Sequence, residues 1–148
     1  MNILITGGTG FVGSHLIPSL TQDGHLVTIL SRSKKASKDR HVSFLEWNGR
    51  EMPLGIGMYD IVINLAGASI AGKRWTDAQK KKILDSRLDA TKACVKYINS
   101  SPKPPSLFLS ASGVGYYGIE HSQEVDEFAS QGTDFPARVC VEWEAAAD

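Results

Sequence analysis

The chain has 148 residues, with Lys+Arg and Asp+Glu at 16 each and a formal net charge of +0. Bulk charge therefore gives no reason to expect a nucleic-acid or membrane-surface partner. No apolar run reaches the roughly 18 residues of a membrane span, and the N-terminus has no signal-type basic and apolar regions. A chain of this size can bury about 68–70% of its unfolded surface, enough for one core without staples.

Asn2–Thr6 reads as an apolar strand, with Ile3, Leu4 and Ile5 at its centre. Gly7, Gly10 and Gly13 follow at even spacing, and Phe11–Gln22 then reads as a helix ended by Gly24. Strand, glycine turn and helix in that order are what a dinucleotide pyrophosphate needs. The helix N-terminus offers backbone N–H groups and the positive end of a dipole. Gly7 permits the turn, Gly10 lets phosphate approach the backbone, and Gly13 lets helix and strand pack closely. Gly8-Thr9-Gly10-Phe11-Val12-Gly13 also satisfies the G-x-G-x-x-G frame in its required strand-to-helix context.

Leu26–Ser31 is a β-branched second strand and Val42–Trp47 a shorter third. Between them Arg32, Lys34, Lys35, Lys38 and Arg40 make a locally basic loop. Asn48-Gly49 and Pro53 to Gly57 signal turns. Tyr59–Leu65 is a continuous apolar run, as expected of a strand buried on both faces. From Thr76, a plausible N-cap, to Ile98, apolar residues recur at three and four, and Pro102, Pro104 and Pro105 end that helix. Ser106–Ser110 reads as another buried strand. A loop containing Glu120 and His121 runs to about Asp134, which looks like the N-cap of a last helix through Ala147, with Pro136 in its first turn.

Strands alternating with helices predict a right-handed, doubly wound parallel sheet of the Rossmann type, covered on both faces in three αβα layers. Five strands are visible and such sheets usually continue to a sixth. Residues 142–148 still read as helix, so the chain is expected to be the N-terminal part of a longer protein. Cys94 and Cys140 show no metal spacing and are expected as free thiols in a reducing compartment, with the cytoplasm the simplest location.

Thr6-Gly-Gly-Thr-Gly-Phe-Val-Gly13, Asn64-Leu-Ala-Gly67 after the fourth strand and Ser110-Ala-Ser112 after the fifth resemble the extended short-chain dehydrogenase/reductase superfamily. Asn64 through Trp75, Asp85-Ser-Arg87, Gly115-Tyr-Tyr-Gly118 and Cys140-Val-Glu-Trp-Glu144 look like its atypical, nucleoside-diphosphate-sugar epimerase-like branch. The resemblance covers the whole chain. It implies an NADP(H)-binding Rossmann domain over residues 1–148, with a substrate-binding C-terminal part beyond this chain. A homodimer contact through the long helix and the last helix is a further implication.

No Asp or Glu stands between Gly24 and Lys38 to take a ribose 2′-hydroxyl, whereas Arg32 offers a planar fork for a 2′-phosphate. The resemblance carries Ser31 over with Arg32 and points to NADP(H). Leu65, Ala66 and Gly67 leave the fourth strand at its carboxyl end, where small residues let a cofactor lie against backbone. Thr9, Phe11 and Val12 join the glycines in the cradle, and the resemblance brings Arg87 to the cofactor's ribose or phosphate region.

Hydride-transferring relatives pair a Ser with Tyr-x-x-x-Lys, in which Lys lowers the Tyr pKa. Here the fourth residue after Tyr59, Tyr97, Tyr116 and Tyr117 is Ile63, Ser101, Glu120 and His121, never Lys. Cys140 falls near the Lys position. Ser112, near the expected serine, either orients a substrate or is a strand-end turn serine. Tyr116 or Tyr117 could act as an acid if desolvated or line the pocket, with Tyr117 the candidate alongside Ser112. Trp75 and Trp143 read as packing residues, Trp75 also as a lid anchor. No metal site is expected. The leading reading is an NADP(H)-dependent oxidoreductase or epimerase-like enzyme acting on a small hydroxyl or keto substrate. The rival is a non-catalytic NADP(H)-binding sensor or regulatory module.

Overall fold

The computed structural model describes residues 1–119 and 124–148. Glu120 and His121 therefore lie outside the described residues. The elements run β1 (Asn2–Thr6), α1 (Phe11–Gln22), β2 (Leu26–Ser31), β3 (Val42–Glu46), β4 (Ile61–Asn64), α2 (Asp77–Ser100), β5 (Leu107–Ser110), a 3₁₀ turn (Val114–Tyr117) and α3 (Phe135–Ala145). The five strands form one parallel sheet in the order β3-β2-β1-β4-β5. The order reverses between β1 and β4. In open α/β sheets ligands bind outside the carboxyl ends of the strands at that reversal.

Alternation along the strands sorts the core onto two faces. Ile3, Ile5, Val27, Ile29 and Ile63 pack on one side against Leu16, Ile17 and Leu20 of α1. Leu4, Leu30, Trp47 and Val62 pack on the other against Ala90, Ala93, Cys94 and Tyr97 of α2. The Thr76 hydroxyl caps α2 by accepting from the Gln79 N–H at 3.3 Å. Asp134 caps α3 by accepting from the Ala137 N–H at 2.9 Å.

Several expected bounds move by one or two residues. Trp47 falls outside β3, although its N–H still donates to the Ser31 carbonyl at 2.8 Å. Tyr59, Asp60 and Leu65 flank β4 rather than belong to it, α2 continues to Ser100, and α3 stops at Ala145.

The burial of β5 is a larger correction. It was expected to be covered on both faces, yet Leu107 is 43% exposed and Leu109 48%. On this face α1 packs chiefly against β2. Ile61, Ile63 and Leu109 are left to line an open apolar cleft of about 400 Å³ beside Leu16 and Leu20. No helix among the described residues is long and apolar enough to cross a membrane.

Candidate cofactor site

The β1–α1 connection is built around three steric requirements. Gly7 has φ +68°, and a Cβ there would meet the Leu65 carbonyl carbon and oxygen at 2.5 Å. It thus serves the turn and also lets the β4 exit close against the β1 exit. A Cβ on Gly10 would stand 3.2 Å from the Gly7 carbonyl oxygen. A Cβ on Gly13 would lie 2.4 Å from the Gly8 oxygen and 2.5 Å from its Cα. The close approach that Gly13 permits is therefore to the turn itself, rather than to the strand as expected.

The helix start is open. Gly10, the N-cap, has no side chain to bond the first turn, and that turn carries no acidic residue. Ser14 N–H is the donor that reaches the Gly10 carbonyl, at 2.9 Å. The N–H groups of Phe11, Val12 and Gly13 precede it and have no intrahelical acceptor. Thr9, Gly10, Phe11 and Val12 are exposed and Gly13 is buried. A run of backbone donors at the positive end of a helix suits a pyrophosphate, so the residues present fit the dinucleotide that the sequence suggests.

At the end of β2, Ser31 is buried and its hydroxyl accepts weakly from the Ser33 N–H at 3.4 Å. Arg32 is exposed and, among the described residues, pairs with no carboxylate. On the other side of the turn, Leu65 N–H donates to the Thr6 carbonyl at 3.1 Å and Ala66 N–H to the Thr6 hydroxyl at 3.2 Å.

Beneath this lies a polar network that the sequence reading did not single out. Asn64 is fully buried, and its Oδ1 accepts from Thr6 Oγ1 at 2.6 Å. Its Nδ2 donates to Thr91 Oγ1 at 2.8 Å and to Ser110 Oγ at 3.2 Å. The indole N–H of Trp143 donates to Thr91 Oγ1 at 3.0 Å. One side chain thus ties the carboxyl ends of β1, β4 and β5 to α2, and through Thr91 to α3. A hydrogen-bonding residue inside an otherwise apolar strand was the available signal.

Arg87 stands against the β4 exit. A Cβ on Gly67 would be 3.0 Å from its Cζ. One guanidinium nitrogen donates to the carbonyls of Ala68 at 3.0 Å and Ile83 at 2.9 Å. The group also lies 5.0 Å from the centre of the Trp143 ring. Burial lowers its pKa from the ordinary value. Arg87 is thus a strut holding the loop that carries Ala66 and Gly67.

Beyond β5, Ser112 is exposed and its hydroxyl donates to Oε1 of Glu144. Tyr116 and Tyr117 are half-buried in the 3₁₀ turn, with their rings edge-on at 5.3 Å. Cys140 is buried, and its thiol donates to the Gly113 carbonyl at 3.5 Å. Burial pushes that thiol up, and the charge of Glu144 pushes it further. Trp143 packs in the core, as expected. Trp75 packs edge-on against Phe135 at 5.4 Å, and its indole N–H donates to the Ile70 carbonyl at 2.8 Å.

Residues 3–141 match the family described as NAD dependent epimerase/dehydratase. Epimerase family protein YfhF of Bacillus subtilis is 37% identical over 147 residues, covering 97% of this chain and 48% of that protein. Epimerase family protein SDR39U1 of Bos taurus is 37% identical over 150 residues, covering 99% and 49%. The crystal structure of human SDR39U1 (isoform 2) with NADPH superposes with a TM-score of 0.87 at 33% identity, covering 100% of this chain and 49% of that one. The chain spans about half the length of the curated relatives it matches. A glycine-cradled helix start at the sheet's order reversal and these matches lead to one conclusion: the chain belongs to the NAD dependent epimerase/dehydratase family.

Proposed function

We propose that this chain is the NADP(H)-binding domain of an epimerase-like oxidoreductase acting on a small hydroxyl or keto substrate. The observation that carries the reading is the β1–α1 cradle with Arg32 beside it. The N–H groups of Phe11, Val12 and Gly13, which have no intrahelical acceptor, receive the pyrophosphate, and Thr9 borders them. Ser31 and Arg32 hold the 2′-phosphate, and Leu65, Ala66 and Gly67 flank the nicotinamide half, with Arg87 bracing them. The human relative crystallised with NADPH supports the choice of cofactor. Bound NADP(H) supplies or takes the hydride, and Ser112 orients the substrate oxygen with Tyr117 as a wall of its pocket. A cytoplasmic location belongs to the same reading, and Cys94 and Cys140, buried and outside any disulfide, are compatible with it.

A charge-assisted hydrogen bond contributes about 1.5–3 kcal/mol, or about ten- to a hundredfold in affinity. Arg32→Ala in the full-length protein should therefore weaken NADPH binding by that factor and leave NADH binding nearly unchanged. Equal losses would remove the 2′-phosphate role.

A second reading, a non-catalytic NADP(H) sensor, is favoured by the missing Tyr-x-x-x-Lys pair, since α3 carries Cys140 and no tyrosine. Absorbance of NADPH mixed with the full-length protein and a panel of carbonyl compounds separates the two. Turnover supports the enzyme, and tight binding without turnover supports the sensor.

A further inference from the structure

A serine can pass a proton but cannot keep one, so Ser112 needs an acceptor if it meets a substrate hydroxyl. The phenol and ammonium that serve elsewhere are missing from α3. What α3 brings to Ser112 instead is Glu144, whose Oε1 accepts the serine hydroxyl directly. Glu144 lies one turn beyond Cys140 on the same helix face. Its neighbour Trp143 anchors that turn to Thr91 and carries the Arg87 guanidinium on its ring.

The location matters. Ser110 pairs with Asn64 across β4 and β5, so Ser112 leaves the sheet beside the Leu65–Gly67 exit, on the edge where ligands of such sheets lie. Both Ser112 and Glu144 are exposed. The pair is therefore open to a substrate.

We propose that Glu144 is the proton acceptor of the reacting centre, taking the hydroxyl proton of Ser112 as Ser112 takes that of a bound alcohol. This rests on the NADP(H) reading above. When an alcohol becomes a carbonyl, its hydroxyl proton moves through Ser112 Oγ to Glu144. The carbinol hydride, with its electron pair, leaves to an oxidised nicotinamide dinucleotide. In the reverse direction protonated Glu144 returns the proton to the new alkoxide through the same hydroxyl.

One consequence is readable without a substrate. A carboxylate at the nicotinamide end favours the cationic oxidised ring over the neutral reduced one, by about three- to tenfold at an effective dielectric between protein and water. The test is calorimetric titration of the full-length protein with NADP⁺ and with NADPH, for wild type, Glu144→Gln, Glu144→Asp and Ser112→Ala. Glu144→Gln should weaken NADP⁺ binding about three- to tenfold and leave NADPH unchanged. Glu144→Asp and Ser112→Ala, which keep the charge, should retain the wild-type ratio. Thermal unfolding of Glu144→Gln should match wild type. With a carbonyl compound that is turned over, Glu144→Gln and Ser112→Ala should lower kcat and spare the KM for NADPH. An unchanged ratio, or equal changes for both nucleotides, overturns the placement of Glu144. Undiminished kcat in Glu144→Gln, or no turnover of any panel compound, overturns its proton role. A wild-type protein that binds neither nucleotide overturns the cofactor reading instead.

Discussion

Replacing Gly13 by alanine sets two effects against each other with opposite signs. Gly13 sits in the first turn of α1 at an ordinary φ. Helix propensity alone favours alanine there by about 0.8–1.0 kcal/mol. Against this, the new methyl would lie 2.4, 2.5 and 2.6 Å from the Gly8 oxygen, Cα and carbonyl carbon. Those atoms are backbone, so relief requires the turn to move by about 1 Å from ordinary van der Waals contact. Overpacking of this kind costs typically 1–3 kcal/mol, so a net loss of up to about 2 kcal/mol is expected. At this chain length that is roughly 2–8 °C in melting temperature. Shifting the turn also tilts the Phe11–Gly13 donors away from a pyrophosphate. Denaturant melts and NADPH titration of the full-length Gly13→Ala protein would read both. Added stability of about 1 kcal/mol with unaltered NADPH affinity would refute the close-approach argument.

Two other substitutions probe the scaffold. Asn64→Ala removes three hydrogen bonds from a fully buried residue and leaves the Thr6 O–H without its acceptor. It should destabilise by about 2–4 kcal/mol, seen in urea melts. A loss below about 0.5 kcal/mol would deny the network its role. Cys94 is buried in the α2 layer, and burial pushes its thiol from 9.0 up to about 12. Between those values the folded protein keeps a proton the unfolded chain has lost. Stability is therefore unaffected below 9.0 and falls as pH rises through that window, by about 1.4 kcal/mol per pH unit. Cys94→Ala should flatten that alkaline slope relative to wild type, and identical slopes would contradict the buried-thiol account.

Much of the fold was legible because periodicity reports burial directly. Ile3 and Ile5 against Leu4, and Ile83 and Thr91 along α2, sort themselves by period alone. The glycine turn was legible because each glycine answers a local steric demand. The exposure of β5 was not. Leu107-Phe108-Leu109 reads as a buried strand whether or not a helix covers both faces, and coverage depends on which layer each crossover enters. The bond from Ser112 to Glu144 was equally hidden. It joins a strand exit to a helix 32 residues later, and no local spacing announces it. Arg87 was placed near the cofactor by resemblance, but its hold on Ala68 depends on how α2 meets the β4 exit, and its place on the Trp143 ring on how α2 and α3 meet.

The account stands on where the dinucleotide lies, and backbone hydrogen exchange of the full-length protein with and without NADPH tests this most directly. Saturating NADPH should slow exchange at residues 8–13, 31–33 and 65–67. Protection confined to other segments, or none anywhere at saturation, would contradict it.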